Sequence, residues 1–141
     1  MREFNAMRWL VGGIVAGLIV WTLEGAMSAL YVDRITARLS ELGLASSGST
    51  TQIAGTLAAT MLGGLAMVFF YALVRGPLGP GVVTAAVVAV VVFCGGYLPG
   101  LIGYHVIGLF EPALLAQWAV QGMVEMVVAA IVGAWIYRPA G

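Results

Sequence analysis

The sequence contains no lysine, one histidine and one cysteine, and charged side chains make up only 9% of it. Each shortage excludes something. A lone Cys94 cannot close an internal disulfide, which removes the disulfide-framed secreted domains. One His and one Cys cannot supply a zinc site, so no metal is expected. A Ser-His-acid triad would have to use His105, and nothing places it near a serine. Neither HExxH nor a GxxxxGK[ST] phosphate loop occurs. No catalytic residues are assigned, and the chain reads as no enzyme. Arginines and acidic residues number six each, for a net charge of zero. No electrostatic case for nucleic-acid binding remains. Soluble domains carry roughly 25% charged residues. A short chain also keeps about a third of its unfolded surface exposed when folded. Twelve charges could not hold that surface in water, so a soluble or disordered chain is excluded as well.

What the sequence has in quantity is apolar surface, at 62% of its 141 residues. A spanning helix needs about 20 apolar residues to cross a hydrocarbon core of about 30 Å. Four runs qualify: about 9–32, 51–74, 82–104 and 113–137. Transmembrane strands would alternate polar and apolar residues over about 10 positions. These runs are longer and do not alternate, so an all-α, four-helix transmembrane bundle is predicted. Arg2, Arg8 and the small residues Ala26, Ser28 and Ala29 partly fit a cleaved signal. The apolar run is too long for one and holds Glu24, so it reads as a retained helix. The third run stays apolar to Phe110, about 42 Å along a straight helix from Val82. A kink is predicted at Pro99, which lacks a backbone donor.

Arg2, Arg8, Arg75 and Arg138 fall on one side of the predicted membrane, Arg34 and Arg38 on the other. By the positive-inside rule both termini and the Arg75 loop are cytoplasmic. Trp9, Tyr71, Trp135 and Tyr137 would mark the inner boundary; Tyr31, Tyr104 and Trp118 the outer one. Between the first two helices, Asp33 to Leu44 places Ile35, Leu39 and Leu42 on one face and Arg34, Arg38 and Glu41 on the other. This predicts a short amphipathic segment in the outer headgroup region. Ser46 to Thr51 reads as a hinge, with Thr50 or Thr51 as the N-cap. The segment Arg75–Gly81, with two prolines, reads as a tight turn.

Glycine, 20 residues in all, has a clear use in lipid. Small residues let helices approach closely where the hydrophobic drive for association is weak. Gly13 and Gly17, Gly55-xxx-Ala59-xxx-Gly63, and Gly96-xxx-Gly100 are the predicted packing positions. Gly13, Gly17, Glu24 and Ser28 share an arc of about 60° on the first helix. Gln117, Gln121, Glu125 and Val128 align on the fourth.

Glu24 and Glu125 carry the functional question. A carboxylate at the bilayer centre costs at least about 2.5–3.5 kcal/mol. Their depths allow them to meet across an antiparallel pair, and no cation stands at that depth. A neutral carboxyl bonded to Gln121, Gln117 or Ser28 is expected. Three uses follow: interhelical glue, a proton or cation relay, or contact with a ligand or partner subunit. His105 falls at the outer interface; its sharper reading is an axial ligand to a haem or chlorophyll-type pigment. Cys94 reads as a small core residue.

The stretches FFYALVRGPLGPGVVTA (69–85) and GMVEMVVAAIVGAWIYR (122–138) resemble a group of small, uncharacterised bacterial four-helix membrane proteins. The resemblance implies an inner-membrane protein with Glu125 in a recurrent position and a cytoplasmic Gly-Pro-Gly turn. It implies no activity. Arginine without lysine, with abundant Ala, Gly and Val, suggests a high-GC bacterial source. The leading expectation is a non-enzymatic accessory or assembly subunit, or a homo-oligomer, partnered by lipid and by other membrane proteins or itself. The alternatives are a proton- or cation-coupled transporter using Glu24 and Glu125, and a binder of a quinone or pigment in a groove of Trp21, Phe69, Phe70, Tyr97 and Trp118. No cofactor is predicted under the leading expectation.

Overall fold

A computed structural model describes residues 4–44 and 48–137. Arg2 and Arg138 of the charge count, and Ser46 and Ser47 of the expected hinge, lie outside the described residues. Six α-helices form: α1 (Ala6–Ser28), α2 (Val32–Glu41), α3 (Thr50–Leu78), α4 (Val82–Val92), α5 (Leu98–Val106) and α6 (Pro112–Ile136). A π-helical turn over Phe93–Tyr97 joins α4 to α5. No strand occurs among the described residues. Four stretches are long and apolar enough to cross a membrane: α1, α3, the continuous Val82–Val106, and α6. This is the architecture of a multi-pass membrane protein.

Local chemistry sets the helix ends. Asn5 caps α1, its Oδ1 accepting from the Arg8 N–H at 3.0 Å. Ser49, not Thr50 or Thr51, caps α3, accepting from the Gln52 N–H at 3.2 Å. Gln52 returns the favour by accepting from the Gly48 N–H, a reciprocal arrangement like a capping box. α1 stops at Ser28, short of the expected end at residue 32. α3 runs on through Arg75 and Pro77 to Leu78, beyond the expected end at 74. The turn expected over residues 75–81 therefore shrinks to Gly79–Gly81. Gly79, at φ +81°, ends the helix in a conformation glycine adopts without a Cβ clash. Thr84 donates to the Gly79 carbonyl and Tyr71 accepts from the Gly81 N–H, which ties the turn down.

The break in the third span precedes Pro99 instead of falling at it. Proline offers no N–H to the carbonyl four residues back and its ring crowds that carbonyl. The chain widens into a π turn first, with the Leu98 N–H reaching the Phe93 carbonyl. Helix then resumes with Pro99 in its opening turn, where the missing donor costs nothing. Two residues past the end of α5, Gly108 takes φ +68°, with Leu109 N–H bonded to Tyr104 O and Gly108 N–H to His105 O. That is a Schellman closure.

α1 packs along α3 and α6, and α4 packs along α6 and α3. Successive spans run antiparallel. Phe4 and Tyr137 are in ring contact, so both ends of the described chain lie at one end of the bundle. The core runs through Ala16, Met67, Val68, Tyr71, Ala85, Val88, Ala89, Phe93, Met126, Ala129 and Ala130.

Glycine decides how closely α1 approaches. A methyl at Gly64 would overlap the Gly13 carbonyl oxygen and the Gly17 amide nitrogen. One at Gly17 would meet the Thr60 carbonyl oxygen at 2.7 Å, and one at Gly12 the Gly133 carbonyl oxygen at 2.8 Å. The backbones thus touch, as small residues allow in lipid. Of the expected packing positions, Gly13 and Gly17 lie in this seam. Gly55, Gly63, Gly96 and Gly100 do not: a Cβ on each would meet nothing within 4 Å. Ala59 is exposed as well. On α3 it is Gly64 that faces α1, because the helical twist turns Gly63 about 100° away.

α2 is amphipathic, with Leu39 buried and Ile35 half-buried. Leu42, expected on its apolar face, is exposed at the helix end. Arg38, expected to face away, reaches across to the Gly108 and Leu109 carbonyls at 2.8 and 2.9 Å and also bonds Glu41. Arg34 pairs with Glu111. These bonds clamp α2 over the α5–α6 turn.

Candidate functional site

Buried Gln121 and Glu125 meet half-buried Glu24 on the α2 side of the bundle, while buried Thr84 lies at the opposite end, in the Gly79–Gly81 turn. Glu24 projects from the last part of α1. Tyr31 stands just past that helix, where the chain turns towards α2, and is 2% exposed. Gln121 and Glu125 lie one turn apart on α6. The Tyr31 hydroxyl donates to Glu24 Oε1 at 3.0 Å. Gln121 Nε2 donates to the Tyr31 oxygen at 3.2 Å and to Glu125 Oε1 at 2.9 Å. Glu24 and Glu125 are thus joined through a tyrosine and an amide, across α1 and α6.

Of the five residues expected in this cluster, Glu24, Gln121 and Glu125 are brought together. Ser28 is not; its hydroxyl donates to the Gly25 carbonyl of its own helix at 2.7 Å. Gln117 is half-buried and makes no hydrogen bond to the cluster among the described residues. The polar face of α6 is rotated from the expected one. Leu114, Gln121, Gly122, Glu125 and Met126 are buried, while Val128 is exposed. Tyr31, expected as an outer-interface anchor, is the central relay. Its signal in the sequence was its position seven residues beyond Glu24, two helical turns on.

Tyr97 walls the cluster, its ring lying where a side chain on Gly122 would have to go. Trp118 packs edge-on against Tyr31 and Phe110, with centroids 5.6 and 5.1 Å apart. Among the described residues, the buried atoms Trp118 Nε1, Gln121 Oε1 and Glu125 Oε2 have no donor–acceptor partner. All belong to one stretch of α6. The Glu125 carboxyl lies within hydrogen-bond reach of that of Glu24.

His105 is exposed on α5, and no set of three His, Cys, Asp or Glu side chains able to hold a metal occurs among the described residues. Cys94, expected in the core, is exposed on the π turn. The aromatics expected to line one cofactor groove separate instead. Phe69 contacts Phe4, Trp9 and Phe70 at the end of the bundle holding the described chain ends, while Trp118 and Tyr97 stand by the polar cluster. At the former end Arg75 lies 5.6 Å from the ring centres of both Tyr71 and Tyr137, a cation–π sandwich. Trp9 Nε1 donates to the Leu65 carbonyl there at 2.9 Å.

Comparison with protein-family profiles, with curated proteins and with solved structures finds no match to this chain.

Proposed function

We propose that this is a small, non-enzymatic integral membrane protein that works by packing against other membrane helices. It would act as a subunit of a larger inner-membrane assembly or as a homo-oligomer in a bacterial plasma membrane. The arginine count favours a cytoplasmic location for the end carrying Arg8 and Arg75, with α2 lying along the opposite headgroups.

One observation carries the reading. Gly55, Ala59 and Gly63 form a small-residue stripe on α3: Gly55 and Ala59 are exposed, and a Cβ on Gly55 or on half-buried Gly63 would meet nothing within 4 Å, while Gly12, Gly13, Gly17, Gly64 and Gly133 are all used in backbone contacts. The internal seam is complete without the stripe. A free small-xxx-small face is suited to admitting a further helix. Gly96 and Gly100 offer a second such face on the third span. The Glu24–Tyr31–Gln121–Glu125 chain supports this reading as the internal glue holding α1 to α6.

Mass determination of the full chain in mild detergent tests it. The expected result is a complex heavier than the 14.6 kDa chain, which Gly63→Leu dissociates without unfolding the chain. A monodisperse monomer that keeps full stability would sink the reading.

A further inference from the structure

The acidic side chains among the described residues all lie on the α2 side of the bundle. Glu24 and Glu125 are in the polar cluster, Asp33 and Glu41 on α2, and Glu111 just before α6. Glu3 lies outside the described residues. At the opposite end the described charges are Arg8 and Arg75, both positive. Arg8 is exposed in the first turn of α1. Arg75 is half-buried in the last turn of α3.

Arg75 is held in place and not neutralised. It lies 5.6 Å from the ring centres of Tyr71 and Tyr137. Its Nη1 donates to the Tyr137 carbonyl at 3.4 Å, and no carboxylate pairs with it among the described residues. A guanidinium carries five N–H donors in a planar fork, so most of that capacity is unspent. Arg75 lines a cleft of about 370 Å³ together with Tyr71, Gly81, Val82, Trp135 and Tyr137.

At Val82 this cleft meets a second one, of about 410 Å³, that is apolar throughout. It lies between two ridges of α4, Val82–Ala86–Val90 and Val83–Val87–Val91. Residues four apart line up into such ridges, and Ala86, the smallest of the six, deepens the groove between them. The five valines are 43–78% exposed, so the chain leaves this groove open. From Val82 to Val91 it runs about 14 Å along the helix. That is close to half of a hydrocarbon core of about 30 Å, the depth of one leaflet.

We propose that these joined clefts bind one anionic phospholipid, with its phosphate on Arg75 and one acyl chain along the valine groove of α4. An arginine fork meets phosphate oxygens in pairs, and basic pockets between spanning helices are suited to lipid head groups. The cation stands where such a lipid is charged, and the apolar track begins where its tail begins. A free phosphate would leave the groove empty. An apolar helix on this face would leave Arg75 without a counter-charge. Trp135, 75% exposed beside the cleft, is the kind of ring that sits at head-group level. The site uses none of the residues of the α3 stripe.

The test uses the full chain in a neutral detergent, supplied with phosphatidylglycerol or with zwitterionic phosphatidylcholine. Native mass spectrometry counts the lipids kept per chain, and thermal unfolding follows stability. The expected result is one phosphatidylglycerol per chain, in a monomer or an oligomer alike, and a higher Tm with it than with phosphatidylcholine. Arg75→Gln should weaken its retention about tenfold or more, the worth of a hydrogen bond to a charged group. Ala86→Leu fills the groove without touching Arg75. It should also weaken retention, and it keeps the test decisive if Arg75→Gln fails to fold. Arg34→Gln, which removes a positive charge at the other end, should leave retention unchanged. Equal retention of the two lipids overturns the proposal. So does retention unchanged in either the Arg75 or the Ala86 variant when folded, or an equal loss with Arg34→Gln. It is also overturned if phosphatidylglycerol binds only after Glu3→Gln, because Arg75 would then be neutralised within the chain.

Discussion

The α1 seam and the outward face of α3 are built from the same small residues and stand in opposite situations. In the seam, Gly12, Gly13 and Gly17 of α1 meet Gly133 of α6 and Gly64 of α3 at backbone distance. On the outward face, Gly55 and Ala59 are exposed, and half-buried Gly63 has nothing within 4 Å of where a Cβ would stand. Gly63 and Gly64 are adjacent in sequence, and one helical step separates a position with no room for a methyl from one with nothing near it. A glycine in a membrane helix therefore reports close packing only after the rotation of its helix is known.

Three substitutions sharpen the contrast. Gly64→Ala should have the largest effect, a loss of about 3 kcal/mol in unfolding free energy. The obstructing atoms are backbone atoms of Gly13 and Gly17 and cannot rotate away. Denaturant unfolding in detergent micelles would measure it, and a change below about 0.5 kcal/mol would show that the seam is looser than described. Gln121→Leu should come next, at about 1–2 kcal/mol. It removes two donated hydrogen bonds and leaves Tyr31 and Glu125 without their shared partner. The loss should also be visible as changed Tyr31 or Trp118 fluorescence, since the Trp118 ring packs on Tyr31. Gly63→Ala should have the smallest effect on the fold, within about 0.5 kcal/mol. A large loss of monomer stability from Gly63→Ala would place that residue inside the fold and erase the comparison.

The two ends of the bundle differ in a related way. At the end holding Phe4 and Tyr137, aromatic rings and Arg75 close the structure by packing and cation–π contact. At the end near α2, closure depends on directional bonds: the Arg38 clamp on the α5–α6 turn and the chain from Glu24 to Glu125. Unmet polar atoms remain only at the second end among the described buried side chains.

Much of the fold was legible because its signals are local. Run length and apolarity identify four spans, since the hydrocarbon thickness sets helix length. The α2 pattern shows in the three-to-four residue spacing of Ile35 and Leu39. The depth of Glu24 and Glu125 follows from counting along each helix, and it brought Gln121 into consideration by its position one turn from Glu125. Other features were not legible. Proline predicts a disturbance but does not say whether the helix bends at Pro99 or widens beforehand. Ser28 faces the right arc for the cluster, yet its hydroxyl is taken by the Gly25 carbonyl of its own helix. Tyr31 carries the marks of an interfacial residue, and only the turn after Ser28 folds it inward.

Sequence alone determined that the chain is helical, that four of its segments suit a membrane, and that two carboxyls lie within them. Those properties follow from residue chemistry summed along a chain, with no reference to a neighbour. Tertiary structure alone decided which glycine of each pair meets another backbone, which tyrosine links the two carboxyls, and which polar atoms are left unmet. Those depend on the rotation of one helix against the next, and an error of one residue turns a side chain by about 100°.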